Sequence, residues 1–190
     1  MKVESLKLRD MKTIEEQGYT FQEWLKPDQI AKDVAQVADK ISADYADKEP
    51  LFVVVLNGAF VFAADLLRAL KDVRCEVTFI RVSSYFGMSS TGQLQFIVPL
   101  QQVVENRDVV ILEDIIDTGL TIHQLKAHLR GLGATSIRVA TMLFKPAKLE
   151  FDDAKPDYVG HELTEEFVIG YGLDFDGFVR NLPSVYKVRE

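Results

Sequence analysis

Three short runs of β-branched and aromatic residues, interleaved with helical patterns, constrain the fold of this 190-residue chain most strongly. The runs are Leu51–Leu56, Val109–Leu112 and Ile137–Phe144. Leu51–Leu56 and Val109–Leu112 are continuous apolar runs, which are typical of strands that are buried on both faces of a parallel sheet. Strands that alternate with helices indicate helices on both sides of such a sheet. We therefore predict an α/β fold with a mainly parallel, twisted sheet.

The remaining elements of the core follow from the spacing of apolar residues. Apolar residues three or four positions apart from Ile30 to Tyr45 predict one helix, and Ala59–Lys71 and Ile122–Leu132 predict two more. Cys75–Val82 and Phe96–Leu100 are predicted to be strands. The ends of the chain lack such patterns. We predict one domain over residues 1–190, with a core at about 27–146 and a small hood from about 1–26 and 147–190.

Composition and charge exclude several classes of function. The net charge of −7 argues against broad electrostatic binding to nucleic acid. The single cysteine, Cys75, excludes an internal disulfide and a paired-cysteine metal site. The longest apolar runs have six residues, whereas a membrane-spanning helix needs about 20. Met1–Asp10 lacks the apolar segment of a signal peptide. We expect a cytoplasmic protein with no nucleic-acid or membrane partner.

The stretch from Val109 to Thr121 carries the strongest functional signal. Its apolar strand is predicted to end in Glu113 and Asp114, before a short loop and a helix. Ligands of open α/β sheets bind beyond the carboxyl ends of the strands. Hydroxyls and backbone N–H groups at the amino terminus of a helix form an anion site. The residues that would supply this site are Asp117, Thr118, Gly119 and Thr121.

Three carboxylates, of Glu113, Asp114 and Asp117, lie close to this anion site in the sequence. A phosphate beside them is repelled unless their charge is neutralised. A ligand that presents sugar hydroxyls to the acids and phosphate to the amides meets this condition, with Mg²⁺ shielding the remaining charge. An ordinary helix cap with solvated acids is the alternative interpretation. It suits a lone Asp-x-Gly far better than a string of thirteen residues.

The segment from Glu113 to Thr121 resembles the phosphoribosyl-pyrophosphate motif of type I phosphoribosyltransferases, most closely that of the hypoxanthine-guanine phosphoribosyltransferases. The resemblance extends from about Leu51 to Leu182, because Leu56–Gly58 is similar to the pyrophosphate loop and Phe167–Asp174 to the purine-binding half. It implies the type I phosphoribosyltransferase fold, with a hood from the termini and a mobile loop.

The resemblance implies roles at the phosphoribosyl end of the site. Glu113 and Asp114 are expected to bind the ribose hydroxyls and, with Asp174, a Mg²⁺ ion. Asp117 is expected to be the catalytic base near N7 of the purine. The residues expected to hold the 5′-phosphate, together with Asp117, are Thr118, Gly119, Leu120 and Thr121.

Roles for the pyrophosphate follow in the same way. Gly58, the amide of Asn57 and Arg180 are expected to bind it, and this loop often contains a non-proline cis peptide in the family. Many relatives have Lys or Arg in place of Asn57, so this side chain lacks their charge. Ser84 and Tyr85 resemble the loop that closes over the site, within a stretch rich in Ser, Gly and Thr.

Four residues are expected to bind the purine: Lys145, Phe167, Val168 and Asp174. Lys145 would donate to the 6-oxygen, Phe167 would stack on the base, and the backbone of Val168 would contact its edge. Each of three residues has another interpretation when it is considered without the resemblance. Lys145 would be a surface lysine, Phe167 would be a core strand residue, and Arg180 would form a surface ion pair. We interpret Asp152 and Asp153 as solvated charge, and His123 and His128 as residues that bind no metal.

The resemblance therefore implies a glycosyltransferase that makes a purine nucleotide and pyrophosphate from phosphoribosyl pyrophosphate and a 6-oxopurine, as a homodimer or homotetramer with Mg²⁺. One alternative is a regulatory protein of the same fold that binds phosphoribosyl pyrophosphate. Another is a transferase for a different base such as xanthine. A dinucleotide-binding fold is disfavoured because no G-x-G-x-x-G motif follows any strand.

Overall fold

A computed structural model of the chain describes residues 12–84 and 94–189, which form two sheets and three α-helices. The helices are α1 (Pro27–Asp44), α2 (Phe60–Ala69) and α3 (Leu120–Gly131). The strands are β1 (Thr13–Glu16), β2 (Tyr19–Leu25), β3 (Leu51–Leu56), β4 (Glu76–Ser84), β5 (Leu94–Val98), β6 (Asp108–Ile116), β7 (Ser136–Phe144), β8 (Tyr158–Glu162), β9 (Val168–Ile169) and β10 (Val185–Val188).

The larger sheet has six strands in the order β5-β4-β3-β6-β7-β8, and only β5 runs antiparallel to its neighbour. Helices α1 and α2 pack on one face, against residues such as Phe52 and Val110. Helix α3 packs on the other face, where Ile122 and Leu125 meet Ile111. Burial on both faces explains the unbroken apolar runs of β3 and β6. The predicted α/β fold with a mainly parallel sheet is thus confirmed.

Strand β6 is longer than its apolar run predicts. It continues past Leu112 to Ile116, because Glu113 pairs with Thr141 and Ile116 pairs with Phe144 of β7. The sequence interpretation that the strand ends at Glu113 and Asp114 is therefore wrong. Both acids lie within the strand, and the loop before α3 contains only residues 117–119.

Strand β8 lies beyond residue 146, where the sequence places the end of the core. It pairs in parallel with β7, with Ala140 opposite Tyr158. The connection is made by two short 3₁₀ turns, Pro146–Lys148 and Asp152–Ala154, instead of an α-helix. Without a helical pattern, this crossover gives no sign in the sequence that another core strand follows.

The smaller sheet, which forms the hood, joins both ends of the chain in the order β1-β2-β10-β9. Gln17 and Gly18 connect β1 to β2 with positive φ angles, as tight hairpin turns require. Phe21, Ile169 and Tyr186 form the small core of the hood. Across the described residues, none of the helices combines the length and the apolar character that crossing a membrane demands.

Candidate active site

A cleft of about 260 Å³ lies where β3, β4 and β6 end. Val55 and Val82 line it from β3 and β4, and every residue from Glu113 to Ile122 lines it from β6, the following loop and α3. The carboxyl edge of a parallel sheet is where ligands of α/β proteins bind. The sequence-predicted anion site therefore coincides with a cavity.

The loop at residues 117–119 leads directly into the first turn of α3. Gly119, at the N-cap, has a φ of 85°, which a residue with a side chain rarely adopts. A Cβ atom there would also lie 2.8 Å from Ala154 Cβ and 2.8 Å from Leu149 Cδ1. Only glycine fits, and its lack of a side chain lets the loop pack closely against Leu149 and Ala154. The N–H groups at the start of a helix form a site for anions. We call residues 117–121 the phosphate loop.

Glu113 and Asp114 form an acidic pair at the end of β6. The Glu113 side chain is buried, and both this burial and the neighbouring Asp114 carboxylate raise the pKa of Glu113. The backbone N–H of Asp114 donates to Glu113 Oε1 at 3.2 Å, and that of Ile115 donates to Asp114 Oδ1 at 2.7 Å. A cation bound between the two carboxyl groups would offset their mutual repulsion and favour their ionised forms.

The third acid predicted at the metal, Asp174, is held by Arg180, whose charge also partly offsets the rise that burial causes in the pKa of Asp114. Asp174 pairs with Arg180, with 2.7 Å between Oδ1 and NH2, and it accepts a hydrogen bond from the Gly177 N–H. Within residues 12–84 and 94–189, no three His, Cys, Asp or Glu side chains converge as metal ligands. The structure therefore does not assemble Glu113, Asp114 and Asp174 into one set.

Asp117 is flanked by two lysines. Lys145 Nζ lies 3.1 Å from Asp117 Oδ2, and Lys148 Nζ lies 3.7 Å from Oδ1. The Lys145 side chain is only 7% exposed, so the interpretation of Lys145 as a surface lysine is wrong. Among the described residues, Asp117 Oδ1 has no hydrogen-bond partner. No local pattern in the sequence points to Lys148 at this position.

Two glycines bring the predicted pyrophosphate residues together. The Leu56–Asn57 peptide is cis, a feature that the resemblance implied for this loop, and Asn57 is exposed. A Cβ on Gly58 would lie 1.4 Å from Asp114 Oδ2, and one on Gly172 would lie 2.1 Å from the Gly58 carbonyl oxygen. Arg180 donates to the Gly172 carbonyl at 2.7 Å, which places its guanidinium beside this contact.

The predicted stacking residue is an exposed aromatic ring of the hood. Phe167 is 48% exposed, so the alternative of a core strand residue is wrong. Its ring centroid lies 6.3 Å from that of Phe21 and 5.7 Å from that of Phe175. The next residue, Val168, is buried and pairs with Lys187. Phe175, which supports the Phe167 ring, was not identified from the sequence.

Two other interpretations have different outcomes. Ser84 is the last residue of β4, whereas Tyr85 lies outside the described residues. Asp153 is not merely solvated, because His123 Nδ1 lies 2.6 Å from Asp153 Oδ1 and Arg130 NH1 lies 3.2 Å from Oδ2. These partners are 30 and 23 positions away in the chain, so no local pattern could reveal them.

Comparison with known proteins agrees with this geometry. Residues 22–176 match the family model described as the phosphoribosyl transferase domain. The hypoxanthine-guanine phosphoribosyltransferase of Bacillus subtilis is 40% identical over 162 residues, which cover 85% of this chain and 89% of that protein. The hypoxanthine-guanine-xanthine phosphoribosyltransferase of Tritrichomonas foetus is 39% identical over 163 residues, or 86% of this chain and 88% of that protein.

Solved structures give the same result. A hypoxanthine-guanine phosphoribosyltransferase from Bacillus anthracis superposes with a TM-score of 0.83 at 34% identity, covering 88% of this chain and 98% of that chain. A hypoxanthine phosphoribosyltransferase from Staphylococcus aureus also has a TM-score of 0.83, at 32% identity, covering 99% and 97% respectively. With a matching family model, matching folds and a motif that lines the cleft, the chain belongs to the phosphoribosyltransferase family.

Proposed function

We propose that this chain is a purine salvage enzyme that transfers the 5-phosphoribosyl group from phosphoribosyl pyrophosphate to hypoxanthine and guanine. The products are IMP or GMP and pyrophosphate. The observation that carries the proposal is the position of the buried Lys145 ammonium. Its Nζ lies 3.1 Å from Oδ2 of Asp117, the first residue of the phosphate loop. It offers a donor for a 6-oxo group next to a carboxylate that can act as a base. The names of the relatives support the same reaction.

The phosphate loop is suited to the 5′-phosphate of the substrate. Its N–H groups lie at the positive end of the α3 dipole, which favours an anion. The hydroxyls of Thr118 and Thr121 add two further donors. We assign the 5′-phosphate to the segment Thr118, Gly119, Leu120 and Thr121, which lines the cleft.

The acidic pair fits Mg²⁺ together with the ribose. Mg²⁺ usually keeps several waters and binds through one or two carboxylates plus substrate phosphates, so a third protein carboxylate is not required. Glu113 and Asp114 supply two carboxylates whose mutual repulsion a divalent cation would relieve. We assign the metal and the ribose hydroxyls to this pair, and to Asp174 the role of pairing with Arg180. When bound, the ion would neutralise charge on the departing pyrophosphate.

The chemical step is displacement at C1′ of the ribose. N9 of the purine bonds to C1′, the bond from C1′ to the pyrophosphate oxygen breaks, and Asp117 takes the proton from N7. Asp117 Oδ1, which has no hydrogen-bond partner within the described residues, is the acceptor. Arg180 and the backbone at Gly58 stabilise the pyrophosphate as it leaves. Holding the reactants in line supplies most of the remaining acceleration.

Selection of the base follows from hydrogen-bond chemistry. The Lys145 ammonium has three donors and no acceptor, so it pairs with a 6-oxo group but not with the amine of adenine. Phe167, exposed on the hood, offers a face on which the purine can stack. The backbone of Val168 is available to contact the edge of the base. Xanthine also carries a 6-oxo group, and the Tritrichomonas foetus relative is named for it, so xanthine is the second candidate base.

A base panel tests the proposed function. The purified chain is incubated with Mg²⁺, phosphoribosyl pyrophosphate and one free base, and the change in absorbance is followed. We expect turnover with hypoxanthine and guanine and almost none with adenine or uracil. Omitting phosphoribosyl pyrophosphate is the control for contaminating activities. Binding of phosphoribosyl pyrophosphate without turnover of any base would contradict the proposal and favour the regulatory alternative.

A further inference from the structure

The phosphate loop is supported from behind by residues 149–154, which we call the backing segment. The N–H of Glu150 donates to the Thr118 carbonyl oxygen at 2.9 Å. Leu149 and Ala154 lie so close to Gly119 that a single added carbon would meet each of them at 2.8 Å. The path of the loop backbone, and hence the direction of its N–H groups, therefore depends on where the backing segment lies.

A buried lysine ties the backing segment to α3. Lys126 Nζ donates to the backbone carbonyl oxygen of Asp153 at 2.6 Å, and Lys126 is only 8% exposed. Burial lowers the pKa of Lys126, which reflects how unfavourable this environment is for a charge. An ammonium is tolerated in such a place only when strong acceptors surround it.

Lys126 lies on a face of α3 where a charged side chain is unexpected. It shares the buried face of α3 with Ile122, Leu125 and Leu129, where packing alone would favour an aliphatic side chain. The apolar stem of Lys126 can pack there, but its ammonium adds nothing to the apolar core. Its distinguishing contribution is the hydrogen bond to the backing segment.

A second set of contacts holds the same segment from its exposed side. The Asp153 carboxylate lies 2.6 Å from His123 Nδ1 and 3.2 Å from Arg130 NH1, both on α3. The His123 ring also stacks on Phe151, with 4.6 Å between the centroids and 20° between the planes. The segment is thus fastened to the same helix whose amino terminus carries the phosphate loop.

We propose that Lys126, assisted by Asp153, is a positioning residue for the 5′-phosphate: it holds residues 149–154 against Gly119 and so sets the geometry of the phosphate loop. This inference rests on the proposed function, because it assumes that the loop binds the phosphate of phosphoribosyl pyrophosphate. Neither residue is among those that line the cleft, and the effect of each is transmitted through the Thr118–Glu150 hydrogen bond and the packing on Gly119.

The test compares Lys126→Met with the parent and with Lys32→Met, which removes an exposed lysine of α1. Methionine keeps the apolar stem of Lys126 and removes its donors. We expect KM for phosphoribosyl pyrophosphate, and Kd for ribose 5-phosphate by calorimetry, to rise about 10- to 100-fold. KM for the purine and the melting temperature should stay close to those of the parent. Lys32→Met should change none of these values.

Asp153→Asn serves as the second variant, because it alters a partly exposed group and leaves the buried face of α3 intact. It should raise the same two constants by about 2- to 5-fold, in line with exposed ion pairs. If both variants bind ribose 5-phosphate within twofold of the parent, the positioning role is wrong. A lower melting temperature with unchanged binding would show that the contacts only stabilise the fold. A parent that binds ribose 5-phosphate but transfers nothing would refute the proposed function alone.

Discussion

Lys145 and Asp117, the two side chains that we assign to the edge of the purine, contact one another directly. The 6-oxygen and N7 of a purine are neighbours on one edge of the base. A single base can therefore meet the ammonium and the carboxylate at once, and the three donors of Lys145 allow it to serve both partners. At the residue scale, the ion pair couples recognition of the base to the position of the catalytic carboxylate.

The role of Asp117 is tested by Asp117→Asn. The amide keeps the size of the side chain but has almost no affinity for a proton. General-base assistance is worth about 10²–10⁴-fold, so the chemical step in single turnover should slow by that amount. Binding of phosphoribosyl pyrophosphate should remain close to that of the parent. A variant within about threefold of the parent rate would exclude Asp117 as the base.

The role of Lys145 is tested by Lys145→Met, which keeps the stem and removes the donors. A site built around a hydrogen bond can reject an analogue that lacks the matching group by about 10⁴–10⁵-fold. We expect kcat/KM for hypoxanthine and guanine to fall while the value for adenine rises or stays constant. The three values are measured on parent and variant in parallel. An unchanged ratio of hypoxanthine to adenine would remove Lys145 from the purine site.

At the scale of elements, the purine side of the cleft depends on how the strands of the hood hold Phe167. Glu166, directly before it, pairs with Lys187 of β10 at 2.6 Å, and Lys187 Nζ lies 3.8 Å from the centroid of the Trp24 ring of β2. The hydrogen bond from Lys187, followed by the one from Thr164, lowers the pKa of Glu166 to about 2. These contacts link Glu166, two residues before β9, to Lys187 of β10, and Lys187 in turn to Trp24 of β2.

This ion pair has a defined pH dependence. Because the pKa of Glu166 is lower in the folded chain than its ordinary value of 4.5, the pair stabilises the fold fully above about pH 4.5 and loses its effect as pH falls towards about 2. Glu166 is partly exposed, so Glu166→Gln should lower the melting temperature by no more than about 3 °C at pH 7.

The deficit in melting temperature caused by Glu166→Gln should be equal at pH 7 and pH 5.5 and smaller at pH 3.5. Glu165→Gln, an exposed neighbour, is the matched control and should show no deficit at any of these values. A Glu166→Gln deficit that does not depend on pH would show that the carboxylate charge is not its cause.

Elements with a strong local pattern could be predicted from the sequence, and elements that depend on distant partners could not. β3, α1 and α3 have apolar periodicities that survive in the structure. β2 was missed because its buried face includes Glu23, which is satisfied by the hydroxyl of Ser184 at 2.6 Å, 161 positions away. The site follows the same rule. The phosphate loop is one continuous string, whereas the contacts of Asp153 join separate segments.

At the scale of the whole molecule, charge decides what the cleft can bind. The chain carries a net charge of −7, and Glu113 and Asp114 lie in the cleft beside the site of a polyanionic substrate. Such a substrate is repelled by the protein as a whole as well as by the acidic pair. The single arginine that we assign to the pyrophosphate, Arg180, already pairs with Asp174. Tight binding therefore requires a cation that arrives with the substrate.

This reasoning predicts that phosphoribosyl pyrophosphate and Mg²⁺ stabilise the chain together and not separately. A ligand at 100 times its Kd adds about 2.7 kcal/mol to the free energy of unfolding. For a chain of 190 residues this corresponds to a rise in melting temperature of roughly 5–10 °C. We expect that rise with both components present, and less than a third of it with either alone or in excess EDTA. Turnover should likewise stop in EDTA and return with excess Mg²⁺.

Because the thermal measurement needs no purine, it reports on the acidic pair and the phosphate loop without Lys145. Glu113→Gln should reduce the joint effect, since it removes one of the two carboxylates. An equal rise in melting temperature with and without the metal would contradict the assignment of Mg²⁺ to Glu113 and Asp114.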